Sequence, residues 1–173
     1  MAKLMDRTAR RTASVRRKIK LVGIKNGRAR LSVFRGGFER AAAEQVAGAT
    51  LPALTRLVDQ TLVRMSLEGR YDVHDLLSQF GAEKLQQTGA EAAARRGHFQ
   101  WYYTQAEHNE RMLSGADTLK AFVWLIREAA NLREALAWAQ VNAPAQAAQM
   151  VTWMHAEFHQ TGVHKLTPPE PVR

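Results

Sequence analysis

The densest run of metal-ligating and acid side chains is HAEFHQTGVH, residues 155 to 164, with histidines at 155, 159 and 164 and a glutamate at 157. Two histidines four residues apart lie on one face of a helix, where they could share a metal ion. Hydrolytic zinc chemistry further asks for a glutamate directly after the first histidine, within reach of a metal-bound water. Ala156 occupies that position, and Glu157 points about 100° further round the helix. His164 arrives one residue too early after Gly162 for the longer three-histidine pattern. Met150, Val151, Met154 and Phe158 already account for the segment as an amphipathic packing helix. No metal site is expected there.

Other reaction chemistry is equally short of parts. The chain has no GxxxxGK[ST] phosphate loop, no GxGxxG turn and no GxSxG elbow, and GIKNGRAR lacks the lysine-hydroxyl ending of the first. Glu44, Asp59, Asp72, Asp75 and Glu83 are scattered, as helix caps and surface charge are, rather than paired for acid and base work. The absence of cysteine removes disulfides, thiolate zinc ligands and thiol nucleophiles together. The expectation is a protein that is not an enzyme and carries neither cofactor nor metal.

The remaining chemistry is charge. Residues 1 to 35 hold twelve Lys and Arg against Asp6 alone, whereas the other 138 residues hold thirteen against fifteen acids. The net charge of +9 therefore belongs to one end. Such a leader neutralises phosphates without reading bases, so Arg10, Arg11, Arg16, Arg17, Lys18 and Lys20 are the candidate nucleic-acid contacts, and RNA is a candidate partner for residues 1 to 35. A solvated tail with weak affinity for any polyanion would have the same composition. No apolar run approaches the roughly 18 to 20 residues needed to cross a bilayer. With the charged N-terminus this sets a cytoplasmic protein, without membrane contact, as the expectation.

What must position these residues is mostly helix. Self-repulsion predicts an open, disordered arm over 1–29, broken at Gly23 and at Asn26-Gly27. Leu31, Phe34 and Phe38 then share a helical face, Glu39 to Val46 is an alanine-rich helix closed by Gly48, and Thr50 and Pro52 open a third helix with Leu54, Leu57, Val58 and Leu62. The period changes to two around Glu68-Gly69, with Val63 and Met65 before and Tyr71 and Val73 after, which predicts a small hairpin. His74-Asp75 starts a helix ending near Thr88-Gly89. Beyond it, Ala90–Leu113, Ala116–Gln140 and Ala145–His159 are amphipathic helices joined by short breaks, so they pack as antiparallel hairpins. The fold class expected is mainly α: a winged-helix-like unit over 30–88 with its small β-hairpin, antiparallel helical repeat hairpins over 89–162, and a proline-rich tail over 163–173. Trp101, Tyr102 and Trp124, with Phe99 and Tyr103, are candidates for a partner-binding surface or for the core between helices.

In this order, RLSVFRGGFERAAAEQVAGA (30–49), LPALTRLVDQTLVRM (51–65), GRYDVHDLLSQFGAEKL (69–85) and FVWLIREAANLREALAWAQ (122–140) resemble the segment that follows the nucleotide-binding domain in bacterial signal-transduction ATPases of the STAND class, many of them transcriptional regulators. The resemblance implies a winged helix over about 30–88 and tetratricopeptide-like repeats to about 162, with partners bound by the repeats. It also implies that the ATPase domain belongs upstream of Leu31. The basic arm stands in that place, so nucleotide-driven switching is not expected of this chain. The third helix, read as Pro52 to Arg64, offers Arg56 and Arg64 alone to DNA, thin provision for groove recognition.

RRTASVRRKIKLVGIKNGRARLSVFR (10–35), in turn, is similar to the opening of the large-subunit ribosomal protein that binds 5S ribosomal RNA, where RLSVFR is a first strand. After Arg35 that likeness stops, at GGFERAAAEQ. The two resemblances overlap at residues 30 to 35, a seam that a fusion, a mis-joined reading frame or a synthetic chain would each produce. The body downstream favours helix over strand at 31–35.

Overall fold

The computed structural model describes residues 26–112 and 117–160. They are mainly helical, with a single two-stranded antiparallel sheet among the described residues. The class read from the sequence holds, and no described helix is long and apolar enough to cross a membrane. The chain divides into two compact units, residues 1–101 and 102–173.

In the first unit, the chain enters through α1, Asn26–Ala29, which runs directly into a 3-10 turn at Arg30–Val33. Asn26-Gly27 is therefore inside a helix rather than a break in the arm, and Ala29, placed in the arm by its composition, is in the core. Burial is the reason: Ala29, Leu31 and Val33 are all packed inside, so tertiary contacts override the turn preference of Asn-Gly. Helix holds for residues 31 to 33 but not 34 and 35, because Phe34 turns to extended backbone and Gly36 and Gly37 come next at positive φ. That turn lets Phe38 pair with Tyr71 through two backbone hydrogen bonds of 2.8 Å. A side chain at Gly37 would meet the Tyr71 carbonyl at 3.0 Å.

Two helices, α2 (Arg40–Ala47) and α3 (Leu51–Asp59), are separated by Gly48 in left-handed conformation. Pro52 sits in the first turn of α3 as expected, but the Thr50 side chain makes no capping bond. α3 stops at Asp59, so Arg64 belongs to the hairpin and not to the third helix. The hairpin pairs β1 (Val63–Met65) with β2 (Tyr71–Val73), Arg64 facing Asp72. α4 (Asp75–Gln87) is capped by His74, whose Nδ1 accepts from the Leu76 amide at 3.3 Å. Its Gly81 has two neighbours where a Cβ would be: Ser32 Cβ of the 3-10 turn at 2.8 Å and the carbonyl of Ala29, the last residue of α1, at 3.0 Å. A glycine inside a helix costs about 1 kcal/mol relative to alanine, and here it permits the close approach of two elements.

The core of this unit is aromatic. Phe34 and Phe38 stack at 4.4 Å, Phe38 and Tyr71 at 6.0 Å, and the buried His98 meets Phe34 edge-on at 5.4 Å. His98 lies on α5 (Glu91–Met112), which comes after the turn at Gly89. Residues of α5 up to Trp101 belong to the first unit, so the division falls inside this helix and not at the Gly89 turn where the sequence changes character.

The second unit takes the rest of α5, then α6 (Thr118–Asn142) and α7 (Pro144–Gln160). Ala143 alone joins the last two, and Pro144 begins α7, where its missing N–H costs nothing. Packing along α6 comes from Ala121, Leu125, Leu132, Ala135 and Ala139, a row of mostly small side chains that lets helices approach closely. Tyr102 and Ala106 of α5 and Ala147 and Met150 of α7 are buried with them.

Candidate functional site

α6 carries two apolar seams. The inner one runs Ala121, Leu125, Leu132, Ala135, Ala139 and is buried. On the opposite side of the same helix, Leu119 is 73% exposed, Val123 44%, Ile126 61% and Val141 83%. At 100° per residue these four fall within about 60° of one another, half a turn from the inner row. Ala130 and Ala137 occupy the same face between them, and Arg133 interrupts it. A helix that is apolar on two opposite faces is built to be covered on both. On the described residues one face is open.

Charge borders that open face on one flank, with Lys120, Arg127 and Glu134 spaced seven residues apart. Lys120 Nζ lies 2.7 Å from Asp117 Oδ1. That hydrogen bond, followed by the charge of the same carboxylate, raises the lysine pKa above its usual 10.5. The other flank is apolar and half-buried, with Phe122, Ala129 and Leu136.

The aromatic candidates divide differently from the way their types suggest. Tyr102 is buried, and its hydroxyl donates to Glu128 Oε2 at 3.0 Å, so it belongs to the core and offers no surface. Trp101 and Trp124 are partly exposed, one in each unit. Trp124 stands roughly 130° round α6 from the outer seam and is not part of it. Tyr103 is also used internally: its hydroxyl donates to Gln149 Oε1 at 3.1 Å, and its ring meets Trp153 at 5.0 Å.

Residue types alone do not announce the buried polar cluster of this unit. Glu128 and Asn131 are both buried, and Glu128 Oε2 accepts from the Asn131 side-chain amide at 2.8 Å as well as from Tyr102. Buried carboxylates persist only when hydrogen-bonded or paired. The signal is in the spacing, since 128 stands at three and four residues from Leu125 and Leu132 on the inner seam. The outer seam escapes the sequence pattern for a related reason. Phe122, Leu125, Ala129, Leu132 and Leu136 already supply α6 with one packing face, which leaves a second unsought.

In the first unit, two grooves of about 360 and 600 Å³ flank the Gly36-Gly37 turn and the hairpin. Two of the cations lining them serve the fold: Arg35 Nη1 donates to the Ser32 and Phe34 carbonyls, and Arg70, largely buried, approaches Glu39 at 3.9 Å. Asp72, Asp75 and Ser78 line the smaller groove. Exposed Met65 and Leu67 at the hairpin tip are isolated apolar residues of the kind every surface carries.

His155 and His159 fall on the last turns of α7, but their side chains, like His164, lie outside the described residues. So do Arg10, Arg11, Arg16, Arg17, Lys18 and Lys20. Among the described residues no group of three or more His, Asp or Glu side chains is placed to hold a metal ion. Comparison with family models, with characterised proteins and with solved structures finds no match to this chain.

Proposed function

We propose that this chain is a non-catalytic protein-interaction module, of the kind that follows the nucleotide-binding domain in STAND-class transcriptional regulators, and that it acts through the outer seam of α6. The observation that carries this reading is the exposure of Leu119, Val123, Ile126 and Val141 in one row. Covering a large aliphatic side chain contributes roughly 1.5 to 3 kcal/mol, so a row of four is a strong driving force for docking another helix. Likeness to the STAND segment supports the same assignment through FVWLIREAANLREALAWAQ, which contains Val123 and Ile126 of the outer seam and Leu125, Leu132, Ala135 and Ala139 of the inner one. A photo-crosslinking side chain placed at 126 in the full chain should yield covalent adducts with protein, while the same group at the exposed Gln87 of α4 yields far fewer. Equal yields at both positions would remove the assignment.

A second reading, RNA binding through the basic arm, is favoured by twelve cations against one acid in residues 1 to 35. Deleting residues 1–25 tests it cleanly, because α1 and the buried Ala29 are left in place. Loss of affinity for ribosomal RNA, with a flattened dependence on salt, is the expected outcome. Undiminished affinity after the deletion would end it.

A further inference from the structure

We infer that the occupant of the outer seam is a second copy of this chain, its α6 running antiparallel to the first. The inference rests on the proposed reading of that seam as a contact surface, and it adds a partner and an orientation.

Position along the helix supplies the first argument. Residues 119, 126, 133 and 140 interleave with 123, 130 and 137, the two-position repeat by which paired helices mesh. Aliphatic bulk is unevenly distributed on this repeat: Leu119, Val123 and Ile126 fill its first half, whereas Ala130 and Ala137 alternate with the polar Arg133 and Gln140 in its second. Parallel copies would set bulk against bulk at one end and Arg133 against its own counterpart, like charge against like charge, at the other. Antiparallel copies place Ile126 over the other copy's Ala137, large against small, as dense packing requires. Arg133 then crosses the other copy's Ala130, where a methyl leaves room for the arginine stem and the guanidinium reaches water.

Charge supplies the second argument and selects the same register. Arg127 and Glu134 stand on one flank, seven residues apart. With the two-fold axis between them, Arg127 of each copy lies beside Glu134 of the other, two opposite-charge pairs per dimer. In the parallel arrangement that charged flank would instead lie beside the apolar Phe122, Ala129 and Leu136. Area supplies the third. The four exposed aliphatic residues present on the order of 400 Å², about half of what each side of a stable interface covers, and the half-buried apolar flank adds to it. A concentration-dependent dimer, rather than a permanent one, is what such a surface supports.

Sedimentation equilibrium on the full chain should show monomer and dimer in exchange. Ile126→Lys should weaken association by at least about tenfold while leaving the circular dichroism of the monomer unchanged. Val123→Glu, one turn away, should act alike and guards against a local effect of the first substitution. Arg127→Glu and Glu134→Arg should each weaken the dimer, and the double exchange should recover most of the loss. Since the chain has no cysteine, an equal mixture of Arg127→Cys and Glu134→Cys chains should form the mixed disulfide in preference to either like pair. A chain that stays monomeric at every concentration overturns the inference, as does a dimer indifferent to Ile126→Lys or a double exchange no better than the single changes. Adducts at 126 with a different protein, from a chain that is monomeric, would overturn the second copy and keep the interaction module. No adduct at 126 would overturn both.

Discussion

The first unit closes its apolar residues on one another, and α6 in the second unit does not. Phe34, Phe38, Tyr71 and His98 meet ring to ring around the Gly36-Gly37 turn, and the exposed apolar side chains of that unit are scattered at Leu51, Met65 and Leu67. α6 instead packs with small residues and one buried acid on its inner side and shows exposed aliphatic side chains aligned on its outer side. The lesson is one of allocation. Where turns bring large side chains together, stability is internal; where a straight helix has two apolar faces, the second stays exposed.

Perturbing the closed unit should have the largest consequences. Phe38→Ala removes a fully buried ring that stacks on two others, and denaturant unfolding should show a loss of about 3 to 5 kcal/mol. Gly81→Ala should come next, at about 1 to 3 kcal/mol, despite alanine's better helix propensity, because its methyl would meet Ser32 and the Ala29 carbonyl. A stabilising Gly81→Ala would show that the 3-10 turn yields easily and would weaken the contrast between the units.

In the second unit, Tyr102→Phe should cost about 1.5 to 3 kcal/mol, since it takes a donor from a buried carboxylate that still has Asn131. The smallest effect is expected at Lys120. Its pKa is raised in the folded chain, so the stability it contributes with Asp117 is fully present below the ordinary value of 10.5 and is lost as pH rises through the folded value. Asp117→Asn should therefore leave thermal unfolding at neutral pH nearly unchanged, and should remove only a small alkaline dependence, as expected for an exposed pair.

How legible the fold and the site are in the sequence depends on whether a local pattern or a distant contact decides the outcome. The hairpin is set by period-two spacing around Glu68-Gly69, and α4 by His74-Asp75 and Thr88-Gly89, because turns and caps are local chemistry. Helix at Asn26-Gly27 is not legible, because it is imposed by burial of Ala29, Leu31 and Val33 after it. Nor is the division inside α5, where His98 joins one unit and Tyr102 the other along an unbroken helix. Tyr102 illustrates the limit most sharply. An aromatic residue on an amphipathic helix is equally suited to groove or core, and the acid that claims it lies 26 residues away.

The contrast between the two faces of α6 is tested most directly by urea unfolding of Leu132→Ala and Ile126→Lys chains at low and at high protein concentration. Leu132→Ala should lose about 2 to 5 kcal/mol at both, because it opens a cavity in the buried seam. Ile126→Lys should match the unsubstituted chain to within about 0.5 kcal/mol when dilute, and fall behind only when concentrated, where the partner copy stabilises its counterpart by mass action. A dilute Ile126→Lys chain that unfolds as readily as Leu132→Ala would contradict the account, for Ile126 would then be core.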